Sequence, residues 1–183
     1  MSERARISTR RVHTGRVLNL DIDRVRFPNG TEGELEIIRH PGASAVVPFL
    51  SDPAGSDPQI LLLRQYRYAA ESWLYEIPAG LLAPGEEPEA CARRELAEET
   101  GCSAERVERL TTIYTTPGFT DERIHLFLAV GLRQGVTGHE EDEFIEVETL
   151  ALSRALELVE RGEIRDGKTV VGLLFAAGYR AGR

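Results

Sequence analysis

Apolar and polar residues alternate through Leu18, Leu20 and Ile22 in VLNLDIDRVRF, and the parity changes at Val25 and Phe27. A period of two predicts a half-buried strand, and the parity change predicts a bulge or strong twist. Pro28-Asn29-Gly30 is a turn, and ELEIIRH returns, so residues 16–40 read as a strand pair. Denser apolar runs follow. SAVVPFL and QILLLRQYR read as strands joined by the polar, Pro- and Gly-containing loop 51–58, and SWLYEIPAG as a further strand ending at Pro78. Pro88 suits the first turn of a helix and Gly101 the residue just past its end, which predicts a helix over about 88–100. Strands over about 107–115 and 123–131 come next, then the acidic loop GHEEDE, the short strand FIEVETL, and amphipathic segments over about 152–161 and 168–180. No internal repeat is visible. The pattern predicts a mixed sheet with a few helices, an α/β or α+β sandwich rather than regular βαβ units.

The 183 residues are 42% apolar and 28% charged, enough for one domain or one domain with a small appendage. The division expected is an N-terminal strand subdomain over 1–40 and a main domain over 41–183. The net charge of −8 argues against nucleic acid as a partner, because phosphates are repelled unless a cation intervenes. No apolar run approaches the roughly 18–20 residues that cross a bilayer, and MSERARISTRRVHTG has no apolar h-region of a secretory signal. Cys91 and Cys102, on or beside one helix, are about 16 Å apart along its axis, too far for a disulfide. Unpaired cysteines and no export signal point to the cytoplasm. Neither CxxC nor HExxH occurs, so zinc is not indicated.

The predicted helix holds the candidate chemistry. Glu95, Glu98 and Glu99 stand at i, i+3 and i+4 and share one face, with Glu86, Glu87 and Glu89 just upstream. Arg94 lies four before Glu98, Arg93 is in reach of Glu89, and Ala92 and Leu96 give the helix an apolar side. Like charges so close repel. A hard divalent cation resolves this, since Mg²⁺ takes oxygen ligands and bridges an acidic protein to an anionic diphosphate. Spacing alone favours the blander alternative, a solvated charged face.

The wider spacing changes the balance. Gly80, five residues, Glu86, seven residues, Arg94-Glu95-Leu96, one residue, Glu98-Glu99, one residue, Gly101 and Cys102 together resemble the Nudix box. That loop–helix–loop marks hydrolases of nucleoside diphosphates linked to another moiety. The one departure is Cys102, where the family usually carries an aliphatic residue; cysteine is a small hydrophobe and serves there. Pro117 falls fifteen residues after the box. With RQYR, EIPAGLL and PGFTDE it resembles bacterial members of the ADP-ribose pyrophosphatase subgroup, over about residues 14–180.

The resemblance implies a Nudix-type α/β/α sandwich with a mixed sheet, plus a small N-terminal β subdomain. It implies Mg²⁺-dependent hydrolysis of ADP-ribose to AMP and ribose 5-phosphate, with Mn²⁺ a possible substitute, by a homodimer joined through the N-terminal strands. Other nucleoside diphosphate sugars such as ADP-glucose and GDP-mannose share the diphosphate. A non-catalytic ADP-ribose sensor is the alternative from another class, but such domains typically lose box glutamates that this chain keeps. By the same resemblance, Glu95, Glu99, Glu98 and the Ala79 carbonyl would ligate metal, and Arg94 would orient the carboxylates. Arg67 would hold the diphosphate, with Glu76, Pro117 and Gly118 also at the substrate. Asp121 or Glu122 would accept hydrogen bonds from the terminal ribose, and Arg16 and Val17 would line the adenine pocket. The general base would come from GHEEDE, with Glu143 the best match and Glu141 second.

GEIRDGKT, residues 162–169, matches G-x-x-x-x-G-K-[ST]. A phosphate-binding loop of that kind follows a buried strand and opens a helix within a parallel sheet. Here it follows an amphipathic segment with fourteen residues left, so Gly162 reads as a helix C-cap and the match as chance. GASAV at 42–46 is not G-x-S-x-G, and no serine-hydrolase triad is apparent.

Overall fold

A computed structural model describes residues 5–135 and 144–180. The chain forms two compact units, one of residues up to Gly42 with Tyr114–Arg123, the other of Ala43–Ile113 and the residues from Ile124 on.

The first unit is an antiparallel sheet of β1 (Arg6–Thr14), β2 (Asn19–Arg26) and β3 (Glu32–Arg39), in that order. The expected pair is β2 and β3, joined through Gly30 at φ +84°. Their register is unbroken; the two shifts fall in β1, between Arg6 and Ser8 and between Arg11 and His13. The parity change in β2 therefore has another cause. Its buried positions are Asp21, Asp23 and Val25, so two carboxylates occupy the inward face. Charged groups are buried only with partners. Arg39 bonds both aspartates, Arg11 bonds Asp21, and Thr9 donates to Asp23 at 2.8 Å. The Tyr114–Arg123 segment runs beside β3, with the Ile38 N–H donating to the Phe119 carbonyl at 2.8 Å.

In the second unit, β4 (Ala43–Pro48) pairs parallel with β9 (Arg123–Gln134) and antiparallel with β7 (Ala79–Leu81). With β8 (Cys102–Tyr114) they form a four-stranded sheet ordered β7-β4-β9-β8. A second sheet, β10-β5-β6, consists of Ile145–Ala151, Gln59–Arg67 and Ser72–Glu76. Alternation along the strands divides the core in two. Val46, Leu61, Phe127 and Ala129 pack with Ala92 and Leu96 of helix α1 (Pro88–Thr100). Val47, Leu62, Leu126 and Leu128 pack with Leu152, Ala155, Leu158, Leu173 and Ala176 of α2 (Leu152–Glu160) and α3 (Gly167–Arg180). Helices thus cover both faces of a mixed sheet, the α/β/α layering expected. Leu96 is fully buried, and truncating it to alanine would cost about 2–5 kcal/mol.

Candidate active site

Helix α1 begins at Pro88, whose missing N–H would be unpaired there in any case, and ends where Gly101 takes φ +70° and donates to the Ala97 carbonyl at 2.9 Å. Ala92 and Leu96 anchor one side in the core, which fixes the opposite side. There Arg94 stands among the carboxylates. It donates to Glu86 at 2.9 and 3.0 Å, to Glu95 at 2.5 Å, to Glu98 at 3.0 Å and to the Leu81 carbonyl at 3.0 Å. Glu86 above all holds the guanidinium firmly in its charged form. Arg94 and the Ala83 N–H in turn pull the Glu86 carboxyl down to about 2.

Glu95 and Glu99 are both buried. Glu99 accepts the Ala79 N–H at 2.9 Å, which ties the carboxylate to the backbone of β7. Glu95 lies against Gly80, where a Cβ would come within 2.0 Å of its Oε1. Among the described residues no three acidic, histidine or cysteine side chains converge as they would around an ion. Arg94 bonds Glu86, Glu95 and Glu98 and offsets part of their charge. The donor set is all oxygen, and two of its carboxylates are held by backbone that lacks room for a side chain or donates to them directly. That set fits a hard divalent cation.

Beside this helix, β5 and β6 bring up a second charged group. Arg67, half-exposed, donates to Glu76 at 2.6 Å through Nε and 2.8 Å through Nη2. Glu76 is only 2% exposed. Burial works to raise its carboxyl, but the bonds from Arg67 and the charge of Lys168 outweigh burial and hold it below the ordinary glutamate range. Arg67 is raised, first by its bonds to Glu76 and to a smaller extent by the charge of Glu99 on α1, so the pair lies within electrostatic reach of the box.

A family model described as NUDIX domain matches residues 40–171. The chain belongs to the Nudix family. It is 41% identical over 175 residues to a methanol dehydrogenase activator of Bacillus methanolicus, covering 94% of this chain and 92% of that one. It is 39% identical to an ADP-ribose pyrophosphatase of Bacillus subtilis strain 168, with the same coverage of both chains. A crystal structure of an ADP compounds hydrolase superposes with a TM-score of 0.82 at 22% identity, covering 97% of this chain and 94% of that chain, so the fold is shared. Nudix hydrolases generally need a divalent metal.

The residues singled out from sequence are divided between the two units. Arg67, Glu76, Ala79, Arg94, Glu95, Glu98 and Glu99 belong to the second. Arg16, Val17, Pro117, Gly118, Asp121 and Glu122 belong to the first. Arg16 and Val17 lie in the bend between β1 and β2 rather than on a strand. Asp121 accepts from Arg39 at 3.1 Å and from the His40 N–H at 2.9 Å, and Glu122 accepts from Thr115 Oγ1 at 2.7 Å. Glu141 and Glu143 lie outside the described residues. Glu76, expected at the substrate, has both oxygens engaged by cations of the protein.

Sequence reasoning missed Asp166 and Lys168. Helix α3 opens from the loop after α2, not from a strand, and Asp166 caps it, accepting the Thr169 N–H at 3.0 Å. Gly162, at φ +71°, follows the end of α2 as a C-cap glycine does. The G-x-x-x-x-G-K-T match is therefore not a phosphate-binding loop. The signal in it was the lysine, which meets Glu76 across 92 positions of sequence.

Proposed function

We propose that this Nudix hydrolase cleaves the diphosphate of ADP-ribose to AMP and ribose 5-phosphate with Mg²⁺, Mn²⁺ being able to replace it. The observation that carries the reading is the set of box carboxylates on one face of α1 with the guanidinium of Arg67 in reach of it. The Bacillus subtilis relative's name supports the choice of ADP-ribose. When bound, the metal would lower the pKa of water and offset charge on the diphosphate. Glu95, Glu98, Glu99 and the Ala79 carbonyl would hold it.

The chain's own residues do the rest. Arg67 places its donors against diphosphate oxygens. Arg94 keeps Glu86, Glu95 and Glu98 oriented. Glu143, or else Glu141, takes the proton as the water oxygen bonds to phosphorus and the bridging P–O bond breaks. Pro117 and Gly118 serve the substrate, Asp121 or Glu122 accepts hydrogen bonds from the terminal ribose, and Arg16 and Val17 line the adenine pocket. The N-terminal strands, residues 1–40, join two copies in a homodimer, leaving 41–183 as the catalytic domain. Exposed Ile7, Val12 and Leu18 in that region support this. Two free, buried cysteines support a cytoplasmic location, and among the described residues no helix is long and apolar enough to cross a membrane.

Incubation with ADP-ribose and Mg²⁺, with AMP followed over time, tests the reading. Steady AMP release supports it. Saturable binding without AMP leaves a sensor, and faster release from GDP-mannose or an ADP-hexose moves the substrate.

A further inference from the structure

Lys168 stands in the first turn of α3, a helix that contributes no residue to the box. Its Nζ bonds the buried Glu76 carboxylate and also Asp166 at 3.1 Å. Asp166 is itself fixed, accepting from the Thr169 N–H at 3.0 Å and the Thr169 hydroxyl at 2.6 Å. Thr169, fully buried, accepts the Ile77 N–H at 2.9 Å, so the helix start is latched to the residue next to Glu76. Glu76 in turn accepts Nε and Nη2 of Arg67. The chain of contacts runs from Asp166 through Lys168 and Glu76 to Arg67 within the second unit.

Two cations thus share one buried carboxylate, and this divides the work. A carboxylate serving Arg67 alone would draw the guanidinium onto itself and neutralise it. Lys168, 11% exposed, offsets part of that negative charge and fixes the carboxylate plane. The bidentate bond then sets the guanidinium plane of Arg67, whose Nη1 bonds no described residue. From this geometry we propose that Lys168 is a positioning residue for diphosphate binding. It acts through Glu76 to aim Arg67 and preserve its positive field, without touching substrate. The proposal rests on the reading of Arg67 as the diphosphate contact.

Steady-state kinetics of Lys168→Met, Arg67→Gln and the double variant, with ADP-ribose and Mg²⁺, tests it. Lys168→Met is expected to raise KM by about tenfold or more, the order of a lost charge-assisted hydrogen bond, with kcat changed less than about twofold and Lys168→Arg restoring KM. In the Arg67→Gln background it should add nothing, since both changes act through one contact. Should Lys168→Met not fold, Lys168→Gln keeps a donor to Glu76, loses the charge and is expected to raise KM likewise. If Arg67→Gln raises KM while the Lys168 variants lower only thermal stability, the lysine is structural and the proposal fails. If Arg67→Gln itself leaves KM unchanged, the diphosphate role of Arg67 fails, and the positioning role with it.

Discussion

Gly80 and Glu95 leave no room for a side chain between them: a Cβ on Gly80 would lie 2.0 Å from Glu95 Oε1 and 2.1 Å from its Cδ. The obstructing atoms are the far end of a flexible side chain. An added methyl is therefore relieved by moving the carboxylate, at small cost to the fold and at the expense of its bond to Arg94. Gly80→Ala is expected to stay folded, with stability lowered by no more than about 1–3 kcal/mol, while kcat falls on the order of 100-fold, as for a misplacement of about 1 Å at a reacting centre. Thermal unfolding and kinetics on one preparation check this. Normal turnover would mean that the position of Glu95 does not matter to the chemistry.

Glu99 binds the Ala79 N–H through one oxygen. A glutamine keeps a carbonyl oxygen for that bond and loses the charge that a divalent ion requires. Glu99→Gln is thus expected to fold normally and to lose at least about 100-fold in kcat, with a weaker response to added Mg²⁺. Near-normal turnover would remove Glu99 from the metal site.

The helix carrying these residues was legible because its boundaries are chemical. Pro88 and Gly101 bracket α1 in sequence and in structure, and the unbroken run 59–67 is β5. Strand β1 was not legible. Its nine residues are all exposed, so no apolar period marks it, and backbone pairing with β2 alone defines it. In SWLYEIPAG the strand expected to end at Pro78 is β6, which ends at Glu76; the short β7 that starts at Ala79, past a proline with no N–H to continue the ladder, was not expected. Most of the box could be read from spacing within 23 residues. Lys168 could not, because its partner Glu76 is brought to it only by the tertiary packing of α3.

The Glu86 carboxyl is held at about 2, chiefly by its bond from Arg94 and then by the Ala83 N–H. An unfolded glutamate titrates near 4.3. A carboxyl depressed on folding stabilises fully above the unfolded value, and that contribution disappears as pH falls through the folded one. Stability of the parent should therefore drop between about pH 4.5 and pH 2 more steeply than that of Glu86→Gln, which has no such proton to take up. At pH 7 the variant should be the less stable of the two. Urea midpoints at pH 7, 4 and 3 provide the comparison, and parallel profiles would show that the Glu86–Arg94 pair adds nothing in solution.

Both cysteines are free and buried. Burial first, then the charges of Glu86 and Glu95, push the Cys91 thiol up to about 11. Only the thiolate reacts with disulfide reagents. At pH 8 the native protein is expected to react negligibly, and to release two equivalents of chromophore after denaturation. Fast labelling of Cys91 in the native state would mean that the β7–α1 packing opens readily.

Removing the base should separate chemistry from binding. Glu143 stands one residue before Phe144, at the end of an acidic run that adjoins β10. A glutamine there preserves size but accepts no proton. Under the proposed assignment Glu143→Gln lowers kcat by about 10²–10⁴-fold, leaves KM near its original value, and removes the acidic limb of the pH–rate profile. Glu141→Gln then keeps most of the activity. The reverse pattern moves the base to Glu141. If both single variants and the double variant turn over like the parent, the proton leaves by a route outside this loop. The metal-ligand assignments would survive that result, because they depend on α1 and the Ala79 carbonyl of β7 rather than on this loop.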